Sequence, residues 1–201
     1  MSIMTPPYSS WTHKLVRVFV RLLVGTRVTP NHLTTARLVS GLTSCATFAV
    51  GTPAWNAWGG ALWLISALLD RADGELARLG SQTSAAGHHY DYVCDVAVNS
   101  LVFFTIGVGL RNGDFGWWAP VLGAVAAVSV AAASLLSERL ERLEGYQCKA
   151  YAGAFGFDFD DLLYLFAPIA WLGWFQPTLV GAAICAPAIA IWSGVRVGLR
   201  V

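Results

Sequence analysis

Residues 69–95 read LDRADGELARLGSQTSAAGHHYDYVCD, and their spacing decides what kind of molecule this is. Asp70 and Asp73 stand three apart, and Gly74 and Arg78 follow at steps of one and four, so these residues cluster on one side of a helix. Gly87, Asp91 and Asp95 recur every four residues and line one face of a second helix. A polar turn at residues 81–86 lets the two helices lie antiparallel, which would bring four carboxylates toward one point.

The sequence on either side is apolar. Of 201 residues, 56% are hydrophobic and 12% charged, about half the charge of a soluble domain, and the mean hydropathy is +0.56. Apolar runs at 33–50, 54–69, 92–110, 117–137, 159–175 and 177–195 are each close to the ~20 residues that cross a bilayer. Short turns at Gly51-Thr52-Pro53, Arg111-Asn112-Gly113-Asp114 and Gln176-Pro177 separate several of them. The expected fold is an all-α integral membrane protein of six transmembrane helices preceded by an interfacial amphipathic helix. Residues 1–30 form the N-terminal cytoplasmic arm and residues 31–201 the six-helix catalytic domain.

In the arm, Trp11, Leu15, Val18, Phe19 and Leu22 fall on one helical face and Lys14, Arg17 and Arg21 on another. That pattern suits a helix in the membrane interface with its basic side chains toward anionic headgroups. Thr29-Pro30-Asn31 then breaks the chain. With both termini on one side, only Arg111 of the 13 Lys and Arg residues falls on the other. The positive-inside rule makes the basic side cytoplasmic, and a bacterial inner (cytoplasmic) membrane is the expected location. No cleavable signal peptide is evident. No block of like charge suits nucleic acid, and the four scattered cysteines suggest neither zinc nor a disulfide framework but buried free thiols.

Carboxylates at the ends of apolar helices are costly, about 2.5–3.5 kcal/mol each at a helix centre and less near the interface. A divalent cation relieves both that cost and their mutual repulsion, and all-oxygen ligation favours Mg²⁺, Mn²⁺ or Ca²⁺ over zinc. His88 and His89 interrupt the Gly87–Asp91 spacing and read as facing cytoplasm or substrate. Gly74 and Gly87 leave room for a ligand against the backbone, although close helix packing is the plainer use of a membrane glycine. Ala77 keeps the wall low, and Arg78 suits a phosphate.

Taken together, Asp70, Asp73, Gly74, Ala77, Arg78, Gly87, Asp91 and Asp95 give D-x2-D-G-x2-A-R-x8-G-x3-D-x3-D. This resembles, at every fixed position, the signature of the CDP-alcohol phosphotransferase family. Thr29-Pro30-Asn31 is also similar to that family's N-terminal region and makes Pro30 and Asn31 candidates for the nucleotide side. The resemblance implies a six-helix fold, usually dimeric, with a cytoplasm-facing site and two divalent ions, Mg²⁺ or Mn²⁺. By position, Asp70, Asp73 and Asp91 would hold one ion, and Asp70, Asp91 and Asp95 the other. Asp73, Gly74, Ala77, Arg78 and Gly87 would line the CDP site, and Asp95 would be the general base. The implied reaction belongs to phospholipid biosynthesis and joins CDP-diacylglycerol, or another CDP-alcohol, to an acceptor alcohol with release of CMP.

The acceptor is less legible. Arg139, Arg142, Lys149, Arg196 and Arg200 could form an anion pocket for inositol phosphate or glycerol phosphate, or serve only as topology signals and interfacial anchors. Asp158, Asp160 and Asp161 suit capping of a helix start, or else a polyol or amine acceptor. Glycerol-phosphate enzymes commonly end the signature in Pro-Leu-Ala-Asp-Lys, whereas this chain has Tyr92-Val93-Cys94-Asp95-Val96. Two alternatives stand beside this reading: a soluble CDP-alcohol donor with diacylglycerol as acceptor, and an ion transporter using intramembrane aspartates.

Overall fold

Two of the first three long helices begin at a side-chain cap, and all three at a break that the sequence supplies. Thr29 caps α2 (Pro30–Val50): its Oγ1 accepts from the His32 N–H, and its own N–H donates to His32 Nδ1. Pro30 fits the first helical turn, where no amide donor is needed. Thr29-Pro30-Asn31 therefore starts a helix as well as interrupting the chain. Gly51, at φ 79°, ends α2, and Pro53 opens α3 (Pro53–Leu79). Ser84 Oγ accepts from the Gly87 N–H and caps α4 (Ala85–Gly109).

The computed structural model describes residues 4–5, 11–144, 153–154 and 159–200. A short helix, α1 (Trp11–Val20), precedes those above. After them come α5 (Trp118–Glu144), a 3-10 segment (Phe159–Leu165) leading into α6 (Phe166–Leu172), and α7 (Phe175–Gly198). Apart from a two-residue antiparallel pairing of β1 (Met4–Thr5) with β2 (Gly153–Ala154), the described elements are helical.

The two motif helices are bridged by a third. α2 packs against both α3 and α4, while α3 and α4 scarcely touch. Gly41 shows why α2 fits there, since an added Cβ would lie 2.7 Å from Val98 Cγ1 on α4 and 2.9 Å from Ser66 Oγ on α3. The Ser66 hydroxyl donates to the Arg37 carbonyl and the Ser44 hydroxyl to the Gly59 carbonyl, tying α2 to α3. Gly41→Leu should therefore abolish the cooperative thermal unfolding of the detergent-solubilised protein, because overpacking at such a site strikes both neighbours. Gly181→Leu, at a position with open space around it, should leave that transition in place.

Charged groups collect at one end of the bundle, and tryptophans at the other. The start of α2, the end of α3 and the start of α4 share the first end, and Val197 packs on Leu140 to bring the last turns of α7 and α5 there. At the opposite end, Gly51 abuts Gly109, and Arg111 donates to the Ala49 and Val108 carbonyls. The lone basic residue at that end among the described residues thus satisfies helix-terminal carbonyls. Trp55, Trp58, Trp117, Trp118, Trp171 and Trp174 are all exposed there, as interfacial tryptophans are at the edge of a bilayer.

By length and composition, α4, residues 118–143 of α5, and α7 can cross a membrane. α2 and α3 are as long but carry polar and charged residues toward the charged end. The fifth apolar run, 159–175, is a composite of 3-10 and α-helix broken at Gly173. It follows α3 from Arg71, which pairs with Asp161, to Ala57, whose carbonyl accepts from Trp171 Nε1. That stretch of α3 is about 21 Å long at 1.5 Å per residue.

The arm requires a correction. Trp11, Leu15, Val18, Phe19 and Leu22 point away from the protein, but the basic residues do not all face the other way into headgroups. Lys14 and Arg21 are exposed, whereas Arg17 turns inward to Glu75, beside buried His13, Val16 and Val20. Among the cysteines, Cys45 and Cys94 are buried free thiols, Cys185 is an exposed one, and Cys148 lies outside the described residues.

Candidate active site

The last turns of α3 and the first turns of α4 bring Asp70, Asp91 and Asp95 together, with one carboxylate oxygen from each lying within 4.8 Å of the others. Asp73 is not part of this group. It is buried, and its Oδ2 accepts from Thr34 Oγ1 of α2 at 2.8 Å.

A residue overlooked in the sequence enters between these acids. Arg37 of α2 is 2% exposed. Its Nε lies 3.1 Å from Asp70 Oδ1, and its Nη2 pairs with Asp95 Oδ1. One guanidinium cannot satisfy the whole cluster. Asp91 Oδ1 and Asp95 Oδ1 are buried without a hydrogen bond in good alignment, and so are Arg37 Nε and Nη1. Converging carboxylates that share one guanidinium, with Asp91 Oδ1 left without a partner and no His or Cys among them, fit a hard divalent cation.

The nucleotide-side candidates surround this cluster. The nearest atoms that a Cβ at Gly74 would meet belong to the Arg78 guanidinium of its own helix, the closest at 3.3 Å. A Cβ at Gly87 would lie 3.0 Å from Ser84 Oγ and 3.4 Å from Asn31 Oδ1. This places Asn31 beside Gly87, with Pro30 in the same helical turn. Gly41, Gly59, Gly60, Gly107, Gly109 and Gly123 instead sit at close contacts between helices. Ala77 is half-buried one position before Arg78. His88 and His89 are exposed and outside the acid group, with His88 Nε2 lying 3.7 Å from Glu138 of α5.

An open groove of about 600 Å³ runs between α2 and α3, lined in part by Val39, Leu62, Ile65 and Leu69. None of the three acids lines it; Leu69, at one point of its wall, is the neighbour of Asp70 in the chain.

Residues 27–193 match the profile of the CDP-alcohol phosphatidyltransferase family. The chain belongs to this family. With its apolar helices, it is an integral membrane member of that family. Two curated relatives are each called "Bifunctional IPC transferase and DIPP synthase". The Thermococcus kodakarensis protein is 29% identical over 123 residues, 61% of this chain and 26% of that one. The Aquifex aeolicus protein is 30% identical over 167 residues, 79% of this chain and 36% of that one. The chain thus spans about a third or less of their length. In fold it is similar to the crystal structure of Mycobacterium tuberculosis phosphatidylinositol phosphate synthase with CDP-DAG bound. The TM-score is 0.63 at 18% identity, covering 93% of this chain and 92% of that one. Family membership sets the ion-transporter alternative aside.

In this family member a second charge network sits one turn beyond the acids. Glu75 is 1% exposed. It accepts from His13 Nδ1 at 2.9 Å, Arg17 Nε at 2.8 Å, Arg17 Nη2 at 3.2 Å and Arg78 Nη2 at 2.9 Å. Arg71 Nη1 lies 2.7 Å from His13 Nε2, and Arg71 Nη2 donates to Asp161 Oδ1, which also accepts from Thr12 Oγ1. Asp161, expected to cap a helix or meet the acceptor, joins the 3-10 segment to α1 and α3. Neither Arg71 nor Glu75 stood out in the sequence, although charges this close to an apolar run signal buried pairing.

These contacts define the state of His13. A carboxylate only accepts and a guanidinium only donates, so Nδ1 carries the proton and Nε2 the lone pair. Burial, followed by the cations of Arg71 and Arg78, lowers the His13 pKa against the opposing pull of Glu75. With the folded pKa below the ordinary value, neutral His13 contributes stability above about pH 6.5 that is lost as pH falls toward the folded pKa. Thermal unfolding from pH 7 to 5 should show this loss, at most about 1.4 kcal/mol per pH unit. His13→Gln, which can donate and accept without titrating, should flatten that part of the profile.

Of the other acceptor candidates, Arg139 is exposed on α5 and Arg196 is half-buried on α7. Lys149 and Asp158 lie outside the described residues.

Proposed function

We propose that this protein transfers a phosphatidyl group from CDP-diacylglycerol to the hydroxyl of a polyol phosphate, releasing CMP, in membrane phospholipid synthesis. The observation that carries this reading is the convergence of Asp70, Asp91 and Asp95 on the two helices that also carry Gly74, Arg78 and Gly87, with Asn31 beside Gly87. Asp70, Asp91 and Asp95, with Asp73 at a second position, would hold Mg²⁺ or Mn²⁺. Bound there, such ions neutralise the diphosphate and stabilise the departing CMP.

The chain's own residues supply the rest. Arg78 offers its guanidinium to a donor phosphate, while Gly74, Ala77 and Gly87 let the diphosphate approach the helices. Pro30 and Asn31 face the nucleotide. The groove between α2 and α3 takes a lipid tail and leaves the headgroup at the acids. Asp95 removes the proton from the acceptor hydroxyl as its oxygen attacks the donor phosphorus. Fixed charges at the reacting centre and an anchored donor account for most of the rate.

In the bilayer, α2 to α5, the 159–172 composite and α7 make six crossings, with α1 lying in the interface on its exposed apolar face. The basic end, with both termini and the active site, faces the cytoplasm of a bacterial inner membrane, and the tryptophan-rich end meets the opposite interface. The working form is a homodimer. Inositol phosphate is the favoured acceptor, because the structural neighbour is named a phosphatidylinositol phosphate synthase and Tyr92-Val93-Cys94-Asp95-Val96 departs from the glycerol-phosphate pattern. Arg139, Lys149 and Arg196 are its candidate phosphate partners.

Purified protein in mixed micelles should release CMP from CDP-diacylglycerol with Mg²⁺ or Mn²⁺ and inositol phosphate. Release with glycerol phosphate alone, or only from a soluble CDP-alcohol with diacylglycerol, would reassign the substrates. Silence with every pair would sink the reading.

A further inference from the structure

The signature explains why Arg78 belongs to the site, but not what aims it. A long cationic side chain beside water loses considerable rotamer freedom when it settles over a ligand. Here the guanidinium is already folded back over Gly74, with Nη2 donating to Glu75 Oε1. Glu75 cannot swing away easily, because it is buried and its two oxygens also accept from Arg17 and His13 of α1. Arg17 and His13 in turn are fixed by the packing of Val16 and Val20 against Leu76 of α3. The chain of contacts therefore runs from α1, through one buried carboxylate, to the cation that borders the acid cluster.

We propose that α1 is a positioning element of the active site: Arg17 and His13 hold Glu75, and Glu75 holds Arg78 in the orientation that receives the donor phosphate. Without α1, Glu75 would face Arg78 alone and draw it into a tight one-to-one pair. With its negative charge shared among α1 partners, Glu75 steers Arg78 while leaving it charge to give to a phosphate. The same contacts would link seating of α1 at the membrane surface to readiness for the nucleotide. This inference rests on the reading of Arg78 as a phosphate ligand, so its test must separate the two.

The test is a double-mutant cycle on the full chain in detergent, with CDP as the probe at saturating Mn²⁺. Arg17→Met keeps the aliphatic stem and removes the charge at a site a third exposed and outside the acid cluster. It should weaken CDP binding by about three- to tenfold, within the usual range for coupled neighbours. Arg17→Lys should restore part of the loss. Arg78→Met should weaken CDP binding more, and adding Arg17→Met to it should cost nothing further. Mn²⁺ affinity measured without nucleotide should stay within about twofold of wild type in Arg17→Met, whereas general loosening of the fold would lower it as well. Wild-type CDP affinity in Arg17→Met, with Arg78→Met impaired, overturns the positioning role and leaves Arg78 as a ligand. Wild-type affinity in Arg78→Met overturns the reading of Arg78 itself. Additive losses in the double variant, or a parallel fall in Mn²⁺ affinity, also overturn the proposal.

Discussion

Asp95→Asn is expected to reduce CMP release by about 10²- to 10⁴-fold, the usual contribution of a positioned general base, while sparing much of the donor binding. The substitution is nearly isosteric, and its side-chain oxygen can still accept from Arg37, so the α2–α4 contact survives. What disappears is a basic oxygen at a position where Asp95 is both part-exposed and joined to the acid group. Arg78, Gly74, Gly87 and Asn31, the residues proposed to carry the nucleotide contacts, are untouched. CMP release and CDP affinity should therefore separate, the first falling steeply and the second changing little. Unchanged turnover would remove Asp95 from the base role. A large loss of CDP affinity would instead make its main task the assembly of the metal-nucleotide complex.

The parts of this site that were legible in the sequence are those fixed by local spacing. Asp70 to Arg78 lie on one helix and Gly87 to Asp95 on another, so periodicity alone gives their faces. The contribution of α2 had no such signature. Arg37 sits inside the apolar run 33–50, and its partners come from two other helices. A lone charge in such a run was the available clue. Thr34, which holds Asp73, gave even less warning, because threonine within a helix usually bonds to the preceding turn. Its hydroxyl is 3.2 Å from the Pro30 carbonyl and 2.8 Å from Asp73 Oδ2.

The arm was misjudged for a related reason. Helical periodicity separates apolar from basic faces, but it does not say which face meets protein. On α1 the protein-facing stripe is His13, Val16, Arg17 and Val20, and Glu75 is what makes that mixed stripe attractive. Hydropathy likewise found the 159–175 run without disclosing its 3-10 half, whose bonds with α3 come from the Trp63 indole to the Leu163 carbonyl and from the Tyr164 hydroxyl to the Ala67 carbonyl.

Arg37→Met is expected to destabilise the protein in a way that depends on divalent metal. The side chain is buried, and methionine retains most of its volume, so packing changes little. The electrostatic change is large. Asp70 and Asp95 lose their shared cation while Asp91 remains beside them, and removing one partner of a buried pair costs about 3–5 kcal/mol. Because Asp70 and Asp95 keep some solvent access, the lower end of that range applies. In EDTA the variant should unfold well below wild type. Saturating Mn²⁺ should narrow the gap, because divalent charge at Asp70, Asp91 and Asp95 replaces the missing neutralisation. Arg37→Lys should fall between them, keeping the charge but losing the fork that reaches two helices. A gap of equal size with and without metal would mean that Arg37 acts through packing alone, and that the three aspartates do not form the metal site.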